Sequence, residues 1–431
     1  MRKILLFVLA FGAAGAASAD VRPTAAELNL RTTLVQICSQ VSPDLRTACA
    51  RVRPRRRVLT GNIAEYTFRL PVGTGAYDVI GLHRSVRETA PWVPAASSRS
   101  LMLVHGDIGG FRAAFLTNSL RKLPVFLAGE GVDVWGIDLG WTLIPASVTH
   151  FGFLKNWGIE RDARDLGLGL AVARRVRSVT DHDPGKMFLL GWSRGGQIGY
   201  AYLNGETQLP AGLRQVKGFI PVDIYLKTDV QELRTLACLR QQATEGSLAG
   251  NVFANNIGIT IAAIGNGAIA GPGRTTGLVV GAATFALLGG AEPAPVYHFT
   301  GGTFDASGTP TGLLYSNERA LFDFEAAASP FQPNQELADA DAATCEVTDV
   351  PFDDHLAEIT VPVFYVGAGG GFGEYGIYTT SLLGSTDVQT LVINKVPAEQ
   401  RLFDYGHADL FLANDAQALV WQPILDWIQA H

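Results

Sequence analysis

The sequence predicts an α/β fold, in which a mostly parallel sheet has helices on both faces and a large segment is inserted late in the chain. Short apolar runs bounded by glycine or polar residues alternate with segments whose apolar residues have helical spacing. Such runs are typical of strands buried on both faces, and their alternation with helices favours a parallel sheet. Residues 225–358 interrupt the alternation and far exceed an ordinary connection of about 4–6 residues, so we expect an insertion there.

The predicted elements follow one another along the chain. Two N-terminal strands are expected over 63–70 and 77–82, paired with each other. The expected parallel strands are 101–104, 132–137, 187–190, 216–222, 361–366 and 388–394. The expected helices are 24–39, 116–128, 160–179, 196–204 and 416–429.

The N-terminus has the pattern of a secretory signal peptide. Met1–Lys3 supplies positive charge, Ile4–Phe11 is a short apolar run, and small residues follow as far as Ala19. The run is shorter than the roughly 20 residues that a membrane-spanning helix needs. We therefore expect residues 1–19 to be removed before Asp20, and the mature protein to be secreted or periplasmic.

The rest of the chain is predicted to form a core, residues 20–224 and 359–431, and a cap, residues 225–358. The middle of the cap, 251–290, is rich in glycine, alanine, isoleucine and valine and nearly lacks charge. We expect packed helices there, and a lid with an apolar inner face is the more specific hypothesis. Proline and arginine within 270–274 interrupt the apolar run, so no stable membrane span is expected.

Four cysteines in an exported chain suggest two disulfides, for which three pairings exist. We favour Cys38–Cys49, which closes a short loop, and Cys238–Cys345, which joins the two ends of the cap.

The net charge of −6 gives no reason to expect a nucleic-acid partner. The basic run Arg51–Arg57 is the exception, and we interpret it as a solvated loop in preference to a polyanion contact.

The segment Gly191–Gly196 reads G-W-S-R-G-G, between an apolar strand and a helical stretch. In this context G-x-S-x-G is a nucleophile elbow, a turn so tight that side chains at the glycine positions would clash. The turn places Ser193 at the N-terminus of a helix, which favours developing negative charge. We predict that Ser193 is a nucleophile.

A serine hydroxyl needs a general base, and His407 is the histidine whose position fits. It follows the last predicted strand and precedes the last predicted helix. This agrees with the order serine, acid, histidine that accompanies a nucleophile elbow.

Asp107 and Arg194 are predicted to donate backbone N–H groups to an oxyanion. One donor is usually the residue after the nucleophile, and the other comes from the loop after an earlier strand. Asp107 stands in that loop after His105 and Gly106, and Ile108 is the alternative to it.

Two residues are candidates for the acid that orients His407. The glycine-rich loop after the strand 361–366 offers only Glu374, whereas Asp223 stands at the end of the strand 216–222. We favour Asp223 and keep Glu374 as the alternative. Either carboxylate would fix the imidazole tautomer and stabilise the imidazolium.

We expect no cofactor and no metal. Gly371–Gly376 matches G-x-G-x-x-G, but it lacks the following helix, second strand and acidic residue of a dinucleotide site. The sequence contains no H-E-x-x-H, no P-loop and no zinc-type cysteine spacing.

Taken together, these residues resemble the α/β-hydrolase superfamily of serine hydrolases, which includes esterases and lipases. The resemblance covers 101–224 and 361–431 and leaves the cap unmatched. It rests on His105-Gly106, Asp165, the elbow around Ser193, and Gly406-His407. It implies a mostly parallel α/β-hydrolase sheet and hydrolysis of an ester, thioester or amide without a cofactor.

Two segments are similar to particular members of that superfamily. Residues 216–223 resemble the strand of haloalkane dehalogenases that can end in the acid, although their nucleophile is an aspartate where this chain has Ser193. Residues 406–410 are similar to the His-x-Asp-Phe tail of acid lipases.

We predict a secreted carboxylesterase or lipase that acts through an acyl-enzyme on a small-molecule or lipid ester. The apolar cap suggests a hydrophobic substrate. An amidase or peptidase of the same fold is one alternative. A catalytically silent binding protein is the other, because a fold does not fix a function and the acid is displaced.

Overall fold

The structure is a computed structural model in which residues 23–41, 43–117, 121–180, 184–282 and 297–431 are described. The predicted signal peptide, residues 1–19, lies outside the described residues. The strands are β1 (Arg55–Thr60), β2 (Ile63–Pro71), β3 (Val79–Ala90), β4 (Val93–Pro94), β5 (Arg99–Val104), β6 (Val132–Asp138), β7 (Met187–Trp192), β8 (Val216–Val222), β9 (Ala254–Asn255), β10 (Gly302–Phe304), β11 (Pro310–Leu313), β12 (Gln332–Pro333), β13 (Val363–Ala368) and β14 (Val388–Ile393). The α-helices are α1 (Ala25–Val41), α2 (Arg46–Cys49), α3 (Phe111–Leu116), α4 (Leu123–Gly129), α5 (Ile159–Thr180), α6 (Arg194–Thr207), α7 (Gln231–Ala249), α8 (Ile257–Ile269), α9 (Arg274–Ala282), α10 (Glu318–Ala326), α11 (Asn334–Cys345), α12 (Tyr375–Ser381), α13 (Asp409–Leu412) and α14 (Gln422–Ala430).

The central sheet has the strand order β1-β2-β3-β6-β5-β7-β8-β13-β14, and the short β4 pairs with β3. Within this order, the six strands β6, β5, β7, β8, β13 and β14 run parallel, whereas β1, β2 and β3 are antiparallel to their neighbours. The carboxyl ends of the parallel strands therefore lie at one edge, where α/β sheets bind their ligands. The predicted fold class is confirmed, and so are the six predicted parallel strands.

Alternate residues of the central strands pack on opposite faces of the sheet. In β7, Met187 and Leu189 join a core that includes residues of α1, α5 and α6. Phe188 and Leu190 join a second core, which includes residues of α3, α4 and α14. All of β7 is buried, as expected of a strand covered on both faces.

The basic run forms the expected loop only over residues 51–54, because from Arg55 onward it belongs to the edge strand β1, antiparallel to β2. Arg56 forms an ion pair with Glu88 and Arg57 one with Glu65, at 2.5 and 3.0 Å. Most of its residues are exposed. The strand therefore lacks the apolar alternation by which a half-buried strand is recognised.

The helix expected over 116–128 is observed only in its second part, as α4, and the preceding helix α3 ends at Leu116. Pro124 lies in the first turn of α4. Proline is favoured at that position because its missing N–H would have no intrahelical partner there. It therefore begins a new helix instead of continuing the first.

The segment 225–358 contains α7 to α11 and β9 to β12. Helix α7 packs against α11, and α8 packs against α10. A disulfide joins Cys238 of α7 to Cys345 of α11, and another joins Cys38 to Cys49, which are the pairings favoured from the sequence. No helix of the described residues is both long and apolar enough to cross a bilayer. The cap boundaries stay a prediction.

Candidate active site

Ser193 has a backbone conformation that few residues adopt. It stands between β7 and α6 with φ 56° and ψ −131°. A non-glycine residue at such angles is strained, and strained residues concentrate at functional sites. The turn places Ser193 at the carboxyl edge of the sheet, where it lines a cavity.

The glycines around Ser193 are required by the lack of space. A Cβ on Gly191 would lie 2.2 Å from the carbonyl oxygen of Gly195, and a Cβ on Gly195 would lie 2.4 Å from that of Val104. Both separations are far below the roughly 3.5 Å of an ordinary contact. The predicted elbow therefore has a steric basis in the close passage of β7, α6 and β5.

His407 and Asp223 form a buried hydrogen-bonded pair. His407 Nδ1 lies 2.7 Å from Asp223 Oδ2, and the two residues are 2% and 0% exposed. Since the carboxylate accepts the Nδ1–H, the other ring nitrogen is left free to act as a base. His407 lines the same cavity as Ser193.

The glycine-rich loop after β13 holds the Asp223 carboxylate. The backbone N–H groups of Ala368 and Gly373 donate to Oδ1 at 2.8 Å, and that of Phe372 donates to Oδ2 at 3.1 Å. A Cβ on Gly371 would lie 2.1 Å from Oδ2. The segment that matches a dinucleotide fingerprint thus wraps around a carboxylate of its own chain.

Glu374, the alternative acid, is exposed immediately before α12. Among the described residues it makes no hydrogen bond to His407. The structure therefore brings Asp223, and not Glu374, to the imidazole.

Aromatic rings surround His407. The ring centroids of Trp192, Phe372, Tyr297 and Phe299 lie 5.0 to 5.9 Å from that of the imidazole. This packing limits the orientations that the ring can adopt, which adds to the restraint from Asp223.

Asp409 is a site residue to which the sequence analysis gave no role, although the Gly-His-x-Asp pattern contains it. Its Oδ2 accepts from the backbone N–H groups of Gly301 and Gly406 at 2.8 Å each, and its Oδ1 accepts from the Ser316 hydroxyl. Asp409 thereby fixes the loop of His407 against the segment after α9. Burial raises the pKa of Asp409 to about 7.

Asp107 and Arg194, the predicted oxyanion donors, are joined by their side chains. Arg194 Nε and Nη2 donate to the Asp107 carboxylate at 3.0 and 3.2 Å. Although burial opposes it, the guanidinium keeps the pKa of Asp107 below its usual value. Neither backbone N–H of these two residues has a hydrogen-bond partner within the described ranges. Gly106 lies so close to Ser193 that a Cβ there would be 2.6 Å from the serine Cβ.

Two contacts hold the loop that contains Asp107. His105 is buried, with Nδ1 2.8 Å from the Gly106 carbonyl oxygen, and its Nε2 accepts from the Leu139 N–H at 3.2 Å. Ile108, the alternative donor, has φ 75°, and its carbonyl accepts from the Ser329 N–H at 2.6 Å. The loop is therefore fixed from the sheet on one side and from the insertion on the other.

Comparison with solved structures gives the same architecture. A candidate lipase from Sulfolobus solfataricus matches with a TM-score of 0.58 and 16% identity, over 88% of this chain and 98% of that one. The chain has the α/β-hydrolase fold.

Other matches are more distant. A soluble variant of monoglyceride lipase from Saccharomyces cerevisiae has a TM-score of 0.43 and 12% identity, over 88% of this chain and 94% of its own. A thermophilic esterase from Thermogutta terrifontis has a TM-score of 0.38 and 15% identity, over 83% of this chain and 96% of its own. No protein-family model matches the sequence, and no curated protein matches it.

In this α/β-hydrolase fold, a cavity of about 740 Å³ opens above Ser193 and His407. Residues of the central sheet and the loops at its carboxyl edge line one side of the cavity, and residues of α7, α8, α9, α10 and α11 line most of the rest. Most of the lining is aliphatic or aromatic, and the residues that 225–358 contributes to it include Ile261, Val280 and Phe324. Within the described residues, no group of three or more His, Cys, Asp or Glu side chains is placed to hold a metal ion.

Proposed function

We propose that the protein is a serine hydrolase that cleaves carboxylic esters through an acyl-enzyme, with Ser193, His407 and Asp223 as its triad. The observation that carries the proposal is the 2.7 Å hydrogen bond between His407 and Asp223. It occurs beside a serine held at φ 56°, at the edge of one cavity.

The reaction follows from the roles of these groups. His407 takes the proton of the Ser193 hydroxyl as the serine oxygen attacks the ester carbonyl, and Asp223 stabilises the imidazolium that forms. The N–H groups of Asp107 and Arg194 stabilise the oxyanion of the tetrahedral intermediate. His407 then protonates the leaving alcohol, and a water molecule activated by the same histidine hydrolyses the acyl-enzyme.

The ion pair between Asp107 and Arg194 supports this use of the backbone. The two residues come from different elements, a loop after β5 and the start of α6. Arg194 Nε donates to Asp107 Oδ1 at 3.0 Å, and this contact restrains the separation and orientation of the two backbone N–H groups. Preorganised donors of this kind are more effective than donors that must move during the reaction.

The substrate is proposed to be a mainly hydrophobic ester. The cavity lining is largely aliphatic and aromatic, and such walls bind apolar acyl or aryl groups. The Sulfolobus protein of the same fold is described as a candidate lipase, which favours an ester over an amide. With its predicted signal peptide and two disulfides, the enzyme is proposed to work outside the cytoplasm, with residues 225–358 as its cap.

Turnover of p-nitrophenyl esters of increasing acyl length tests the proposal. We expect the mature chain to hydrolyse them and Ser193→Ala to lose at least about 10³-fold in kcat. Ser381→Ala, a matched change at an exposed serine, should retain full activity. Hydrolysis that persists in Ser193→Ala, or no hydrolysis of any ester by folded protein, would contradict the proposal.

A further inference from the structure

Glu325 is a buried carboxyl group for which the described residues provide no partner. It lies near the end of α10 and is 1% exposed. Neither Oε1 nor Oε2 has a hydrogen-bond partner within the described ranges. It nevertheless lines the same cavity as Ser193 and His407.

The other charged side chains of the cavity wall are paired. Asp107 binds Arg194 at 3.0 Å, and Asp341 binds Arg240 at 2.6 Å. Within each pair the two charges neutralise each other, so these side chains have little hydrogen-bonding capacity left for a ligand. Glu325 is different because its hydrogen-bonding capacity is unused.

The position of Glu325 is fixed by close packing. Helix α8 lies against α10, and a Cβ on Gly265 of α8 would be 2.7 Å from the Glu325 Cβ. Just beyond α10, the Ser329 N–H donates to the carbonyl of Ile108, in the loop that contains Asp107. Glu325 therefore belongs to a closely packed helix, and the segment after that helix is hydrogen-bonded to the loop that contains Asp107.

The surroundings favour the neutral carboxylic acid. Burial alone raises the pKa of Glu325 to about 8, so at neutral pH the group has one O–H donor and one carbonyl acceptor. Burying a polar group without hydrogen-bond partners costs free energy. A ligand that supplies those partners removes this cost and therefore binds more tightly. The neighbouring wall contains Ile261, Val280 and Phe324, and a charged ligand would lose its hydration there without compensation.

We propose that Glu325 is a specificity-determining residue that binds a hydroxyl group of the substrate. A hydroxyl both donates and accepts a hydrogen bond, which matches a neutral carboxyl group. The inference rests on the proposed ester hydrolase activity and narrows its substrates to hydroxylated, otherwise apolar esters. A plain alkyl chain would leave both oxygens of Glu325 unpaired.

Paired ester series test this assignment. The p-nitrophenyl esters of ω-hydroxy acids, from hexanoate to dodecanoate, are compared with plain esters of the same length. We expect the ratio of kcat/KM between the two to peak at the length that brings the hydroxyl to Glu325, reaching at least about 10-fold. A ratio that never favours the hydroxylated ester would overturn the inference.

Three variants relate that peak to Glu325. Glu325→Leu should abolish it, whereas Glu325→Gln, whose amide can both donate and accept a hydrogen bond, should retain most of it. Glu318→Gln is the control, since Glu318 lies on the same helix, pairs with Arg274 and is not part of the cavity wall. A peak that survives in Glu325→Leu would assign the preference to another residue.

A binding experiment separates this inference from the proposed reaction. Calorimetry measures the affinity of Ser193→Ala for the methyl ester of an ω-hydroxy acid and for the plain methyl ester of the same length. The length used is the one that the ester series prefers, and if no length is preferred, each is measured in turn. We expect at least about 10-fold tighter binding of the hydroxylated ester, lost in the double variant with Glu325→Leu. Equal affinities would overturn the inference even if plain esters are hydrolysed, and a preference would support it even if they are not.

Discussion

Asp223 can reach His407 because it adopts φ 47°, a left-handed conformation that aspartate tolerates better than most residues. Its carboxylate accepts three backbone N–H groups, from the last residue of β13 and from the loop that follows it, and also the Nδ1–H of His407. Four donors leave the side chain little freedom. At the scale of single residues, the orientation of the base is therefore determined by a loop that has no titratable group of its own between Gly367 and Gly373.

Replacing Asp223 and Glu374 one at a time tests which of the two carboxylates is the acid that orients His407. Asp223→Asn keeps the shape and the tolerance of positive φ, but its amide favours the wrong imidazole tautomer. We expect kcat for a p-nitrophenyl ester to fall by about 10³–10⁴-fold. Glu374→Gln should change kcat by less than about 2-fold because Glu374 is exposed. The reverse ranking of the two variants would make Glu374 the acid.

At the scale of elements, the junction of β7 and α6 requires glycine at Gly195, where a Cβ would meet carbonyl oxygens of Val104 and His105 at 2.4 and 2.6 Å. Gly195→Ala should destabilise the fold by about 1–3 kcal/mol or more, as overpacking does. Gly205→Ala, in the same helix with no atom near its Cβ, should be stabilising by up to about 1 kcal/mol. Urea denaturation measures both, and equal stabilities would refute the steric explanation.

The disulfide between α7 and α11 closes a separation of 107 residues, whereas the N-terminal one closes 11. In the chain-entropy model, removing the longer link costs about 2 kcal/mol more than removing the shorter one. We expect the double variant Cys238→Ser, Cys345→Ser to have the lower Tm in thermal unfolding, compared with Cys38→Ser, Cys49→Ser. The opposite order of Tm would show that the longer link is not a main restraint on the fold.

At the scale of the whole molecule, buried carboxyl groups with raised pKa values contribute to the pH dependence of stability. Glu336 and Asp162 are buried, and each has an oxygen without a hydrogen-bond partner among the described residues. Burial raises the pKa of Glu336 to about 8, and the charge of Asp107 adds to this effect. Burial raises the pKa of Asp162 as well, with a further contribution from Glu336.

A carboxyl group with a raised pKa in the folded state keeps a proton that the unfolded chain has already released. The contribution of Glu336 to stability is therefore complete below its unfolded pKa of about 4.5 and decreases as the pH rises to about 8. We expect Glu336→Gln to reduce that decrease by about 1–3 kcal/mol, measured by urea denaturation near pH 5 and pH 8. Glu130→Gln, at an exposed position, should follow the wild type, and parallel curves for all three proteins would contradict the account.

Much of the architecture could be predicted because its signals are local. The apolar runs of the parallel strands and the elbow around Ser193 each occupy a few consecutive residues, and they are strands and a strained turn in the structure. The sequence pattern does not reveal strand β1, because half of its residues are arginines and most of its side chains are exposed, so it has no apolar period.

The remaining features depend on contacts between distant parts of the chain. Asp223 and His407 are 184 residues apart, and their hydrogen bond depends on how the loop after β13 folds around the carboxylate. The burial of Glu325 is set by the approach of α8 through Gly265. No periodicity in the sequence encodes either contact, so the sequence alone does not decide between Asp223 and Glu374 and gives no sign of a role for Glu325.

Covalent labelling is the most direct measurement for the central claim that Ser193 is an activated nucleophile. The mature protein is treated with a fluorophosphonate and analysed as intact protein and as peptides by mass spectrometry. We expect a single adduct, located on Ser193, whose formation slows at least about 10³-fold in His407→Gln. Folded protein that stays unlabelled, or that carries the adduct on a residue other than Ser193, would contradict the claim.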